Sequence, residues 1–182
     1  MKNKKIREYQ PQKEDIFIFD TNILIDLFYP MNMENDLSDI TGLYSRICKQ
    51  HAKIIISSIQ ISEFINRCIR FQFGVYSINH SECKDYKKDY RATEDYNQAM
   101  KAILEIIKNE WIDRFIFVND QLQNMDISSI LNYTFSFDFN DALIVEIAKQ
   151  EGAILVTNDG DYSNYDLPTT ILTNNYFLLN LR

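Results

Sequence analysis

Ile16-Phe17-Ile18-Phe19-Asp20-Thr21-Asn22 is an unbroken apolar run that ends in a carboxylate, a hydroxyl and a carboxamide. Four consecutive apolar residues do not alternate between a wet and a dry face, so they predict a strand buried on both sides. The residues that follow, Ile23 to Phe28, read as helix, with Thr21 placed to cap it and Pro30 to stop it. In an open α/β sheet, ligands bind in the crevice beyond the carboxyl ends of the strands. Asp20 stands at that edge, and the rest of the chain is read for other acids that reach it.

Downstream, a helix is predicted from about Ser38 to Gln50, where Ile40, Leu43, Tyr44 and Ile47 recur at three and four residues. Lys53 to Ser57, "KIIIS", is a second buried strand, and Ser57 with Gln60 has the spacing of a capping box for the next helix. That helix carries Ile61, Phe64, Ile65 and Cys68 as its apolar stripe, with Glu63 beside it. A break is expected near Gly74 and a long helix from about Ser81, its second half marked by Met100, Ile103, Leu104 and Ile107. Trp111 precedes a third strand, "RFIFVN", and a short helical region follows around "DQLQNMDISSIL". After the linker "NYTFSF" comes "DFNDALIVEIAKQEGAILVTNDGDY", read as a helix from about Phe139 to Glu151, a stop at Gly152, the strand "AILVT" and an acidic turn. A last strand lies near Ile171. Strands alternating with helices give a parallel sheet of four or five strands covered on both faces. No internal repeat is present.

The 182 residues suffice for one domain with a full core, and 46% hydrophobic with 25% charged residues is ordinary for a soluble globular chain. No signal peptide or run approaching a membrane span is present, which predicts a cytoplasmic protein with no membrane partner. Cys48, Cys68 and Cys83 lack Cys-x-x-Cys spacing and read as reduced thiols. His51 and His80 are too few and too far apart for a histidine-based metal site. The net charge of −7 argues at first against a nucleic-acid partner, but acids gathered around cations would account for it. Residues 1–14 hold Lys2, Lys4, Lys5, Arg7 and Lys13 against Glu8 and Glu14 and read as a mobile basic leader, a solvated terminus in preference to a phosphate-binding arm, followed by a single domain over 15–182 with a helical insertion around 71–110. Between Arg67 and Arg91, the cations Arg67, Arg70, Lys84, Lys87, Lys88 and Arg91 are interleaved with Phe71, Phe73, Tyr76, Tyr86 and Tyr90. Such a mixture suits single-stranded nucleic acid, and it equally suits a solvated helix face with half-buried tyrosines.

Four acids meet the positional test. Asp20 ends the first strand and Asp159 follows "ILV" with two residues between; Glu63 lies on the helix leaving the second strand, and Asp141 in the first turn of the helix before the fourth. Each has an ordinary alternative. Asp138 and Asp141 suit a helix start, Glu63 can pair with Arg67 one turn on, and Asp159 and Asp161 flank a turn glycine. Together they would repel unless cations neutralised them, and hard Mg²⁺ or Mn²⁺ suits carboxylate and water oxygens.

The set Asp20-Thr21-Asn22, then Glu63, then "DALIVEIA…GAILVTNDGDY" resembles the PIN domain family of metal-dependent ribonucleases, which includes toxin subunits of bacterial toxin–antitoxin pairs. The resemblance implies a three-layer α/β/α fold and a Mg²⁺ or Mn²⁺ site on Asp20, Glu63, Asp141 and Asp159. It further implies supporting roles for Asn22, Thr157 and Asp161, an RNA substrate, and an antitoxin or homodimer as protein partner. Residues 71–110 are longer than the compact toxin subunits have there.

The expected reaction is hydrolysis of RNA phosphodiesters by metal-activated water. The alternative is a non-catalytic module of the same fold whose acidic pocket docks a basic partner. A haloacid-dehalogenase-type phosphatase would need an aspartate where Asn22 stands, no Ser-His-Asp set is present, and neither G-x-G-x-x-G nor G-x-x-x-x-G-K occurs.

Overall fold

The computed structural model describes residues 2–31, 36–120, 122–131, 138–167 and 170–181. The linker "NYTFSF" lies outside the described residues. The elements run in the order β1 (Lys2–Lys5), β2 (Ile16–Phe19), α1 (Thr21–Phe28), α2 (Ser38–Gln50), β3 (Lys53–Ser57), α3 (Ser58–Asn79), α4 (Glu94–Ile106), β4 (Ile116–Val118), α5 (Ile127–Ile130), α6 (Phe139–Gln150), β5 (Ile154–Val156), β6 (Thr170–Thr173) and α7 (Tyr176–Leu179). They divide into two compact units, residues 1–60 with 115–182, and residues 61–114.

The first unit is built on one parallel sheet of six strands in the order β1-β6-β5-β2-β3-β4. The expected four or five strands are exceeded because Lys2–Lys5, read from their charge as a mobile leader, pair with Thr170–Thr173 as an edge strand. A strand at a sheet edge needs only one paired side, so exposed lysines are tolerated there. Ile6, fully buried, anchors the segment.

Side-chain alternation along the strands builds two cores. Ile18, Ile55, Leu155 and Ile171 point to one face, where the apolar side of α6 (Ala142, Leu143, Val145, Ala148) closes over them with Tyr162 and Tyr165. Phe17 and Phe19 point to the other, against Tyr9, against Tyr44 of α2 and against Phe115; Tyr44 meets Phe28 of α1 ring to ring at 5.5 Å. The continuous apolar run at 16–19 is thus explained: both faces of β2 are covered, making three layers.

Gln60, wholly buried, accepts from the Ser57 backbone N–H at 2.9 Å and its amide donates to the Phe19 carbonyl. The predicted capping pair therefore also ties the start of α3 to the end of β2. Gly152, at φ +61°, ends α6 as its position predicts.

In the second unit, α3 runs through Gly74 without the expected break, because no neighbour needs the space and one helical glycine costs only about 1 kcal/mol. The helix expected from Ser81 begins only at Glu94, where Thr93 accepts from the Tyr96 N–H. Residues 84–89 are held in turns instead: the Asp89 carboxylate takes the N–H groups of Lys84 and Asp85, and Asp85 those of Lys87 and Lys88. These local bonds compete with a helix. Phe64 packs on Trp111 at 4.6 Å, and both are fully buried. No helix among the described residues is long and apolar enough to cross a membrane.

Candidate acidic site at the carboxyl rim of the sheet

From β2 the sheet is extended by β3 and β4 on one side, and by β5 and β6 on the other, so the order reverses between β2 and β5. A topological switch point of this kind opens the crevice where ligands bind in open α/β sheets. Asp20 closes β2 and Asp159 follows β5, one on each side of it.

Asp20 stands at the N-cap position of α1, with Thr21 as the first helical residue, a reversal of the expected cap. Its carboxylate makes no capping bond and is turned to the rim. There Thr157 Oγ1 donates to Asp20 Oδ2 at 2.9 Å, while the Asp159 N–H donates to Thr157 Oγ1 at 3.0 Å. The Thr157 hydroxyl is buried and both its donor and acceptor roles are used, so it sets the approach of the β5 turn to Asp20. The Asn22 amide reaches Asp20 Oδ2 at 3.3 Å and Asp159 Oδ2 at 3.4 Å, long contacts that span the two acids.

Asp141 arrives from the other direction. Asp138 caps α6 by accepting from Asn140 N–H at 2.7 Å, leaving Asp141 one position further into the first turn. The Tyr162 hydroxyl lies 3.1 Å from Asp141 Oδ1 and 3.3 Å from Asp20 Oδ1. Burial, then the charges of Asp20, Asp138 and Asp159, push the Asp141 carboxyl up to about 7, against the lowering effect of the Tyr162 hydrogen bond. Burial and the carboxylates of Asp20 and Asp141 hold the Tyr162 phenol well above its ordinary range. Tyr162 therefore stays protonated and acts as a neutral hydrogen-bonding bridge.

The rim thus brings together Asp20, Asp141, Asp159, Asn22 and Thr157 of the sequence-derived set. Asp161 is exposed, its N–H donating to Asp159 Oδ1 at 2.9 Å. Glu63 lies on α3 in the 61–114 unit, where Arg67 stands 3.6 Å away. Tyr162 and Gln60 were missed as polar elements of this rim. The aromatic after Asp161 was visible in "DGDY", but the reach of its hydroxyl depends on the tight turn at Gly160–Asn164 that returns it under the carboxylates.

Of the basic and aromatic residues at 67–91, Phe73, Tyr76, Tyr86 and Tyr90 pack on one another. Tyr90 is fully buried and meets Phe73, Tyr76 and Tyr96 at 5.3–5.6 Å. Arg70 covers the Tyr86 ring at 3.8 Å. Lys84, Lys87 and Lys88 remain exposed.

Among the described residues, no three His, Cys, Asp or Glu side chains close around one point as a ready-made metal cage. The oxygen donors nevertheless fit Mg²⁺ or Mn²⁺, because such ions are commonly held by one or two carboxylates and keep several waters. Burial is the largest cause of the Asp141 elevation, and the charges of Asp20, Asp138 and Asp159 add to it, a repulsion that a cation would offset.

A family model of the PIN domain matches residues 17–167. The chain belongs to the PIN domain family. Among solved structures, it is similar to VapBC2 from Rickettsia felis bound to a DNA fragment from their promoter, at 20% identity, a TM-score of 0.46, and coverage of 88% of this chain and 98% of that chain. No curated protein matches this chain.

Proposed function

We propose that this PIN domain protein is a divalent-metal-dependent endoribonuclease that hydrolyses RNA phosphodiester bonds. PIN domains are generally nucleases that use divalent metals, and that family membership sets the frame. The observation that carries the reading is the Tyr162 bridge between Asp20 and Asp141, which puts two carboxylates on one hydroxyl with Asp159 close by. Like charges gathered at a sheet's ligand-binding edge, with burial and those charges raising the Asp141 carboxyl to about 7, support a site that takes up positive charge.

Asp20, Asp141 and Asp159 would hold Mg²⁺ or Mn²⁺, with Glu63 as the fourth acid implied by the family motif. When bound, the ion polarises the phosphate and acidifies water for in-line attack. Thr157 and Asn22 fix the orientation of Asp20 and Asp159, as groups behind metal ligands do. Asp161 is a supporting acid at the mouth of the turn. The cations Arg67, Arg70, Lys84, Lys87, Lys88 and Arg91 belong to the substrate side of the proposal. A place as the toxin of a toxin–antitoxin pair, with an antitoxin and a second copy as partners, is its finest-grained part.

Cleavage of single-stranded RNA in Mn²⁺ by wild type and Asp20→Asn tests the reading. Loss of cleavage in a variant with an unchanged circular-dichroism spectrum supports it. Wild-type-level cleavage by Asp20→Asn overturns it.

The same surplus charge favours a second reading, a non-catalytic dock for a partner's arginine. Isothermal titration with Mn²⁺ separates the two, since a pure docking module has no reason to bind the ion tightly.

A further inference from the structure

We propose that Lys5 and Arg7 form a phosphate-binding subsite for the RNA strand, on the same rim as the acidic site. The inference rests on the ribonuclease reading above and adds where the strand runs.

The sheet register gives the placement. Lys5 pairs with Thr173, Leu172 with Val156, and Val156 with Phe19. Carrying each pairing to the next residue aligns Lys5, Thr173, Thr157 and Asp20 in one row across four adjacent strands. At about 4.8 Å per strand, Lys5 stands roughly 14 Å along the rim from Asp20. A nucleic-acid strand laid over the acidic site and along that row meets Lys5 within a few nucleotides.

At the end of the row is a cavity of about 300 Å³ lined by Lys5, Arg7, Asp39, Asn174 and Leu179. Both cations are exposed, and among the described residues neither forms an ion pair or a side-chain hydrogen bond. The acid in the lining, Asp39, accepts from the Asn174 amide at 3.0 Å, so part of its hydrogen-bonding capacity is already spent. Polar bonds connect this cavity back to the acidic site. The Asn174 N–H donates to Asn158 Oδ1 at 2.8 Å, the Asn175 amide to the Asn158 carbonyl at 3.1 Å, and the Asn175 N–H to Thr173 Oγ1 at 2.9 Å. Asn158 lies between Thr157 and Asp159, so the loop that carries Asp159 is hydrogen-bonded to the loop that brings Asn174 to the cavity. Two exposed cations on the rim, one of them in register with Asp20, are free to meet an anion, and the phosphate backbone of a strand lying over the acidic site supplies one.

The test is fluorescence anisotropy with a labelled single-stranded oligoribonucleotide in Mg²⁺, using full-length Asp20→Asn with and without Lys5→Ala/Arg7→Ala, over a range of salt. The double substitution is expected to weaken binding roughly fivefold or more. It should also flatten the dependence of log Kd on log salt by about 0.7 for each phosphate no longer neutralised. Unchanged Kd and slope, or no RNA binding by the parent, overturns the proposal. The charge-conserving pair Lys5→Arg/Arg7→Lys controls for folding: binding like the parent supports the subsite, and a weakening equal to that of the alanine pair overturns it. Cleavage is scored separately on chains with Asp20 intact. If wild type cleaves no RNA while the binding contrast holds, the ribonuclease reading falls and the subsite stands. If cleavage is normal and the contrast is absent, the subsite falls alone.

Discussion

The Tyr162 hydroxyl lies 3.1 Å from Asp141 Oδ1 and 3.3 Å from Asp20 Oδ1, yet it has one proton to give. The phenol is the donor towards either carboxylate, so each contact favours an ionised acceptor. With Asp141 ionised, the two acids compete for one donor. Tyr162→Phe keeps the buried ring and removes the bridge. Because the bridge lowers the Asp141 pKa, its loss should move the acid limb of the cleavage profile to higher pH and cost about 1 kcal/mol of stability. A pH–rate profile checks this, and an unmoved limb counts against the bridge.

Asp141 should also govern stability against pH. Its folded pKa, near 7, exceeds the unfolded carboxyl value of about 3.9, so the folded state holds the extra proton between them. Stability without divalent ions is then greatest from this group below about pH 4 and declines as pH rises to 7. Chemical denaturation of wild type and Asp141→Asn should diverge over that window, with the variant losing less. Parallel curves would remove Asp141 from the account.

Metal binding should release protons. Calorimetry with Mn²⁺ at about pH 6.5 in buffers of different ionisation heat is expected to show a proton release that disappears in Asp141→Asn. An apparent heat independent of buffer would mean that Asp141 stays protonated when the ion binds.

Thr157→Val tests the hinge between the two strand ends. The substitution is close in shape but leaves the buried Asp20 oxygen and the Asp159 N–H without the hydroxyl. A cost of about 1–3 kcal/mol, or a melting temperature lower by roughly 2–10 °C, is expected. Cleavage should fall further than in Thr157→Ser, which restores the hydroxyl.

Legibility in the sequence follows a physical line. Ile16–Phe19, Ile54–Ile56 and Ile154–Val156 were legible as buried strands because burial on both faces leaves no polar residue to confuse the period. Lys2–Lys5 was not, since an edge strand can be charged and its partner, Thr170–Thr173, is far along the chain. Asp20, Asp141 and Asp159 were legible by position, at strand and helix ends. Tyr162 was not, because the reach of its hydroxyl depends on a turn that no local pattern encodes; for Lys5 and Arg7 the charge left a solvated terminus and a phosphate-binding arm both open. The stretch around Tyr86 and Tyr90 was ambiguous for a different reason: rings that pack on each other and rings that await bases have the same composition.

The fold holds the Asp141 carboxyl away from its preferred ionisation. A cation that binds the rim of the folded chain alone, a metal ion or a partner's guanidinium, would stabilise the fold by mass action. Loading the rim and hardening the protein against heat would then be one event, so that the resting chain is at its most labile where it is most ready to receive a cation.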